Sequence, residues 1–262
     1  MIEHFKKFDG GGKKDLLPLS FSQLTEFAFH RERWALKRLF GYEFPSSPAM
    51  IRGSVVESGL NMWLNGIDAD ESIKKMLSEY DENINLLKGS KNSEERENLV
   101  PLFEEGINRL KEYAFKLNLI GYQEKIEMNI QGIPLIGFTD FHFIDTKTKE
   151  DVYIDLKTTL RKPNGISNSH AMQQAIYQSS TNCSQKLWYL VCKKSGTEFY
   201  EFSLDNYKRP MQICEHIVKV MGNWLAKVDS LDDVKNLLIP NPDDWIWKDE
   251  AVYKARMEVW GY

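Results

Sequence analysis

The sequence predicts an α/β domain in which a small mixed sheet is flanked by helices and preceded by a largely helical N-terminal portion. Short β-rich runs crowd the stretch 124–203, and along Val152–Thr158 apolar and polar side chains alternate with the period of a strand. Before that stretch, apolar residues recur at helical spacing, as in Val56, Leu60, Trp63 and Leu64. At 262 residues with seven tryptophans, the chain is long and aromatic enough to bury one sizeable core.

Residues 1–17, with consecutive glycines at 10–12 between lysines, read as a flexible arm, and 18–262 as a single domain. Helices are expected over Ser22–Phe40, Met50–Asn65, Asp70–Asn83 and Ser93–Leu119, with the polar stretch Lys88–Glu97 as a loop. Strands follow over Glu124–Ile130, Leu135–Ile144, Val152–Thr158, Lys186–Lys193 and Thr197–Ser203. A helix over Ser169–Ser180, with Ser167, Asn168 and Ser169 as N-cap candidates, separates the third and fourth strands. A long amphipathic helix, Tyr207–Val228, and a tail with Trp245, Trp247 and Trp260 close the chain.

The chemistry concentrates on the central strands. Side-chain alternation puts Asp155 and Lys157 on one face, roughly 6.5–7 Å apart along the strand. The connection over 145–151 is short enough for an antiparallel hairpin that brings Asp140 beside Asp155. Two carboxylates so close in a cleft repel, and a divalent cation would hold both ionised. Mg²⁺ suits a few carboxylates that leave room for water and phosphate oxygens. Such an ion activates water and neutralises charge developing on a phosphodiester, and Lys157 would orient that water or stabilise the charge. Taken alone, an Asp-x-Lys on a strand is more often a solvated pair than a site. Glu57 borders the apolar stripe of its helix and wants a partner. Gln173 and Tyr177, spaced i, i+4, share a helix face and offer an amide and a phenol to one ligand.

These pieces, in this order, resemble the PD-(D/E)XK nuclease superfamily, and within it the RecB-like exonuclease branch. Leu19–Leu24, with Ser20 and Ser22, and then His30, Arg31 and Arg33, are similar to that branch's opening Ser-x-Ser helix and basic cluster. Arg52, Gly53, Ser54 and Glu57 look like its Gly-x-x-x-His helix, with glutamate where histidine is usual. Gly137–Asp140 looks like Gly-x-x-Asp, Asp155–Lys157 like (Asp/Glu)-x-Lys, and Gln173–Tyr177 like Gln-x-x-x-Tyr. The resemblance implies a restriction-endonuclease-like core and a metal site of Glu57, Asp140, Asp155 and the Leu156 carbonyl. Lys157 becomes the catalytic lysine, with Asp140 and Asp155. Gln173 and Tyr177 contact DNA or position Lys157, and Arg52, Ser54 and Thr158 are weaker DNA-contact candidates. A third carboxylate at Glu57 hardens the site, favouring Mg²⁺ with Mn²⁺ as substitute. The implied reaction is hydrolysis of DNA phosphodiesters in replication, recombination or repair, from single-stranded ends first. A structure-specific endonuclease and a non-catalytic DNA-binding subunit are the alternatives.

Composition narrows the setting. Cys183, Cys192 and Cys214 lack Cys-x-x-Cys spacing, so no iron–sulfur cluster is expected. Few cysteines and no leader-like start suggest reduced thiols in the cytoplasm. No apolar run approaches the ~20 residues of a membrane span. The net charge of −4 does not advertise nucleic-acid binding, though His30, Arg31, Arg33, Lys37, Arg38, Arg161, Lys162, Lys193 and Lys194 offer local positive charge. The tail tryptophans are expected to seal a core, with stacking on single-stranded bases as the alternative use.

Overall fold

The computed structural model describes residues 1–7, 15–85, 92–113, 116–183 and 185–262, and for 92 and 93 the backbone only. In chain order the elements are α1 (Ile2–Lys6), β1 (Leu19–Ser20), α2 (Phe21–Phe29), α3 (Arg31–Arg38), α4 (Pro48–Leu64), α5 (Ala69–Asn85), α6 (Asn92–Glu97) and α7 (Leu99–Tyr113). Then come β2 (Leu117–Ile130), β3 (Ile133–Asp145), β4 (Asp151–Thr159), α8 (Asn168–Thr181), β5 (Gln185–Lys193) and β6 (Gly196–Ser203). The chain closes with α9 (Lys208–Leu225), α10 (Leu231–Leu237), a 3₁₀ turn (Trp245–Lys248) and α11 (Glu250–Trp260). The six strands form a mixed sheet in the order β1-β3-β4-β5-β6, with β2 also on β3. The fold is the α/β class that the alternating runs announce.

Two compact units share the chain: Met1–Phe44 with Ile126–Gly137 and Asn206–Tyr262, and Pro45–Lys125 with Phe138–Asp205. In the second unit β4 pairs antiparallel with β3 and parallel with β5, and α8 makes the crossover that a parallel pair requires. Trp188, Leu190 and Cys192 of β5 join Val56, Leu60, Met76, Phe103 and Leu156 in one core. Leu187, Tyr189 and Val191, the alternate residues, pack with Ile166, Tyr200 and Phe202 on the other face. The sheet is thus apolar on both sides at β5, and polar groups on β4 stand against buried surroundings. Gly106 permits α7 to lie close to α4: a Cβ there would come 2.7 Å from Leu60 Cδ1.

In the first unit Phe27, Trp34 and Trp224 meet edge to face, with centroids 5.1–6.1 Å apart. Ile246, Trp247, Val252 and Ala255 close on Leu36, with Phe40 and Trp260 beside them. Trp247 and Trp260 therefore seal core, whereas Trp245 is 64% exposed with its ring edge-on to His30.

Several boundaries differ from the expectation, each for a tertiary reason. The helix expected over Ser22–Phe40 breaks at His30, which leaves helical geometry (φ −143°) and bonds Asp244 through Nδ1 at 2.9 Å. The helix expected to reach Leu119 has given way to strand by Leu117, because Leu117 and Leu119 alternate with Asn118 as strand residues against the core. Of the expected loop Lys88–Glu97, residues 88–91 lie outside the described residues and 92–97 are helical. Charges that read as solvated there have partners: Arg96 grips Asp81 through two bonds of 2.7 and 2.8 Å, and Glu95 pairs with Arg52. In the expected arm, Ile2–Lys6 is helical and Phe5 is fully buried, while 8–14 lie outside the described residues. Among the described residues no helix is long and apolar enough to cross a membrane.

Candidate active site

The site is built on the two strands at the centre of the second unit. β3 and β4 pair with Phe141 opposite Ile154 and His142 opposite Tyr153. Just beyond that register Asp140 lies close enough to Asp155 for the two charges to act on each other. Asp155 is 1% exposed, and Lys157, on the same strand face, holds its Nζ 2.7 Å from Asp155 Oδ2. Asp140 Oδ2 accepts the Leu156 N–H at 2.7 Å, which ties the two strands together where the carboxylates meet.

α8 supplies the next contacts. Ser167 caps it by accepting the His170 N–H at 3.2 Å, and its i, i+4 geometry turns Gln173 and Tyr177 onto one face. Gln173 Nε2 donates to Asp155 Oδ1 at 3.0 Å and to the Tyr177 hydroxyl at 3.1 Å. That hydroxyl in turn donates to the Phe138 carbonyl at 2.8 Å. Both side chains thus brace Asp155 and β3 from within, with Tyr177 buried.

Other candidates lie differently. Thr158 alternates to the opposite strand face, where its Oγ1 and carbonyl accept from Arg52 at 3.3 and 3.2 Å. Arg52 is 4% exposed, and Glu95 takes the rest of its guanidinium. Ser54 is exposed, and the Leu156 side chain belongs to the core. Glu57 accepts from Gln123 Nε2 at 3.1 Å. Of the basic residues of the first helices, Arg33 and Lys37 share the single carboxylate of Glu26.

Burial first, then the charge of Asp155, push the Asp140 carboxyl well above the usual carboxylate range, with Lys157 opposing. Burial also raises Glu57, against the hydrogen bonds from Gln123 and Tyr122 and the charge of Lys157. Burial by itself pulls the Lys157 ammonium down, but Asp155 and Asp140 more than reverse this, and it holds its proton above the ordinary lysine value. The Tyr177 phenol is pushed up to about 12, by burial and then by Asp155, so it remains a donor.

Oxygen donors of this kind fit a hard divalent cation. Asp140 and Asp155 face each other in a poorly solvated place, and Asp155 Oδ2 has no hydrogen-bond donor in satisfactory geometry, only the charge of Lys157. Among the described residues, no three His, Cys, Asp or Glu side chains already converge to ligating distance. The fit therefore rests on donor type and mutual charge.

Tyr122 and Gln123 of β2 are site neighbours that sequence reasoning missed. Gln123 has φ +49°, a left-handed conformation inside a strand, and its amide donates to Glu57. Nothing in the local sequence marks it, because glutamine carries no left-handed preference. Gln123→Gly should relieve that strain yet release Glu57. We expect thermal stability unchanged or raised by about 1 kcal/mol, with more cation needed for half-maximal activity. An unchanged cation requirement would remove Gln123 from the site.

No curated protein matches the chain. The solved structures do: a Eubacterium rectale protein described as a candidate exonuclease aligns at 16% identity and TM-score 0.51, over 87% of this chain and 91% of its own. At that identity the likeness concerns the fold. A second structure, SSO0001, aligns at 16% identity over 65% of this chain and 86% of its own, with a TM-score of 0.33. The model of one family, the PD-(D/E)XK nuclease superfamily, matches residues 18–227. With most of the chain matched, and with Asp140, Asp155 and Lys157 assembled on neighbouring strands, this protein belongs to the PD-(D/E)XK nuclease superfamily.

Proposed function

We propose that the protein hydrolyses DNA phosphodiesters with Mg²⁺, or Mn²⁺ in its place, as an exonuclease on single-stranded ends. The observation that carries the reading is the Lys157–Asp155 pair at 2.7 Å, with Gln173 on the second oxygen of Asp155 and Asp140 on the adjoining strand. Asp140, Asp155 and Glu57 would hold a divalent cation, which would supply charge neutralisation and an activated water. Lys157, fixed beside Asp155 at 2.7 Å, acts as a positioned ammonium that stabilises charge developing on the phosphate. Gln173 and Tyr177 act as positioning residues: one holds Asp155, the other anchors α8 to the β3 backbone. The preference for ends draws support from the candidate exonuclease with the same fold, and the preference for single strands from the RecB-like motifs. The RecB-like motifs point to work in replication, recombination or repair, and the three free cysteines accord with a reducing cytoplasm.

End-labelled linear single- and double-stranded DNA, incubated beside a closed circle with Mg²⁺, Mn²⁺ or EDTA, tests the reading. Wild type should degrade linear single strands only when cation is present, and Asp155→Ala should not. Cutting of the circle would move the assignment to endonuclease. Equal activity of Asp155→Ala would discard the site.

A further inference from the structure

A recess of about 430 Å³ opens where β4 gives way to α8. Thr159 lines it, two residues beyond Lys157 on the same strand face and so roughly 7 Å further along. Arg161, Lys162, His170, Tyr189 and Asn164 line it too, and among the described residues no carboxylate does. In a chain of net charge −4 such one-sided lining is a chosen environment.

Arg161 is the distinctive member. Its backbone is fixed by a reciprocal turn, with the Arg161 N–H donating to Thr159 Oγ1 at 3.1 Å and the same hydroxyl donating to the Arg161 carbonyl at 3.3 Å. Among the described residues its guanidinium has no ion-pair or hydrogen-bond partner. Lys162, by contrast, leans over the Tyr200 ring at 5.3 Å. His170 bonds the Tyr189 hydroxyl through Nδ1. Burial, opposed by the charge of Lys157 and aided by that of Asp155, raises the Tyr189 phenol to about 12. It therefore stays protonated and can donate to Nδ1, which leaves the imidazole proton on Nε2 as a further donor. Burial and then Lys157 hold His170 below its ordinary value, so the ring works as a neutral donor and not as a second cation. That Lys157 and Asp155 act on His170 and Tyr189 places the recess within electrostatic reach of the catalytic pair.

We propose that this recess binds a phosphate of the DNA strand being cut, next to the scissile one, with Arg161 as the main ligand and His170 and Lys162 as supporting donors. A guanidinium fork suits a phosphate oxyanion better than an ammonium does. The inference rests on the nuclease reading for the identity of the strand. Two sources share the chemistry: a terminal phosphate monoester and an internal phosphodiester.

Binding in EDTA, where no cleavage intervenes, tests the recess apart from catalysis. Single-stranded oligonucleotides of one sequence, with a 5′-phosphate, a 3′-phosphate or hydroxyl ends, are titrated by fluorescence anisotropy across a salt series. Arg161→Ala should weaken binding about 10-fold and lower the salt slope by about one phosphate contact. Arg161→Lys should recover part of the loss, and Lys147→Ala, the same charge change at the β3–β4 turn, should do neither. With Mg²⁺ present, KM should rise more than kcat falls. Loss confined to phosphate-ended oligonucleotides assigns a terminal monoester, and equal loss on all three assigns an internal diester. Wild-type affinity and slope in Arg161→Ala, or an equal effect of Lys147→Ala, overturns the proposal. A wild type that binds through Arg161 but never cuts would instead defeat the nuclease reading and leave the recess standing.

Discussion

Lys157→Ala is expected to lower phosphodiester cleavage by about 10²–10³-fold, the usual loss when one fixed donor to a developing negative charge is removed from a site shielded from water. The ammonium is held 2.7 Å from Asp155 Oδ2 and cannot be replaced by solvent at the same cost, since the carboxylate beside it is 1% exposed. The variant also leaves Asp140 and Asp155 facing each other without their nearest cation. Metal-free Lys157→Ala should therefore melt at lower temperature than wild type, and added Mg²⁺ should recover more of its stability than it adds to wild type. Single-turnover cleavage and paired melts in EDTA and Mg²⁺ check both halves. A variant with wild-type rate would leave Lys157 a mere counter-ion of Asp155.

Asp140→Asn should stabilise the metal-free protein at neutral pH while abolishing cleavage. In the folded chain the Asp140 carboxyl is raised by burial and by Asp155, against about 3.9 for an unperturbed aspartate. A group raised on folding contributes stability that is complete below its unfolded pKa and is lost as pH climbs through its folded one. The metal-free wild type should thus weaken from about pH 4 upwards on account of Asp140, and the asparagine variant should not share that slope. Its Oδ1 can still accept the Leu156 N–H that Asp140 takes at 2.7 Å. At pH 7.5 in EDTA the gain should be at least about 2 °C, the shift that about 1 kcal/mol produces in a chain of this size. Identical pH dependence of melting in the two proteins would contradict the argument. Mg²⁺ should raise the wild type and leave the variant nearly unmoved.

Much of the fold and the placement of the central residues of the candidate site could be read from the sequence because both follow from strand periodicity. Val152–Thr158 alternates, so Asp155 and Lys157 had to share a face, and the short connection to the preceding strand brought Asp140 alongside. α8 was legible for the same reason at helical spacing, down to Ser167 among its three cap candidates. What escaped depends on distant partners or on backbone conformation. His30 breaks a helix through Asp244, far along the chain. Gln123 enters the site through a left-handed twist that glutamine does not announce. Arg52 looks like a surface contact for DNA until Glu95, in a segment that reads as polar loop, is found holding it.

That ion pair reaches beyond mechanism to how such a sequence can drift. Arg52 bonds the Thr158 backbone, one residue from Lys157, with the same guanidinium that Glu95 neutralises. A change at 95 alone strands a buried cation against the working strand, at about 3–5 kcal/mol, and a change at 52 alone leaves a partly exposed carboxylate unpaired, at a smaller cost. Replacing both by apolar residues of matching size costs far less. Related sequences should therefore keep both residues or lose both together, so that a short charged helix outside the recognised motifs varies in step with the motif at Arg52.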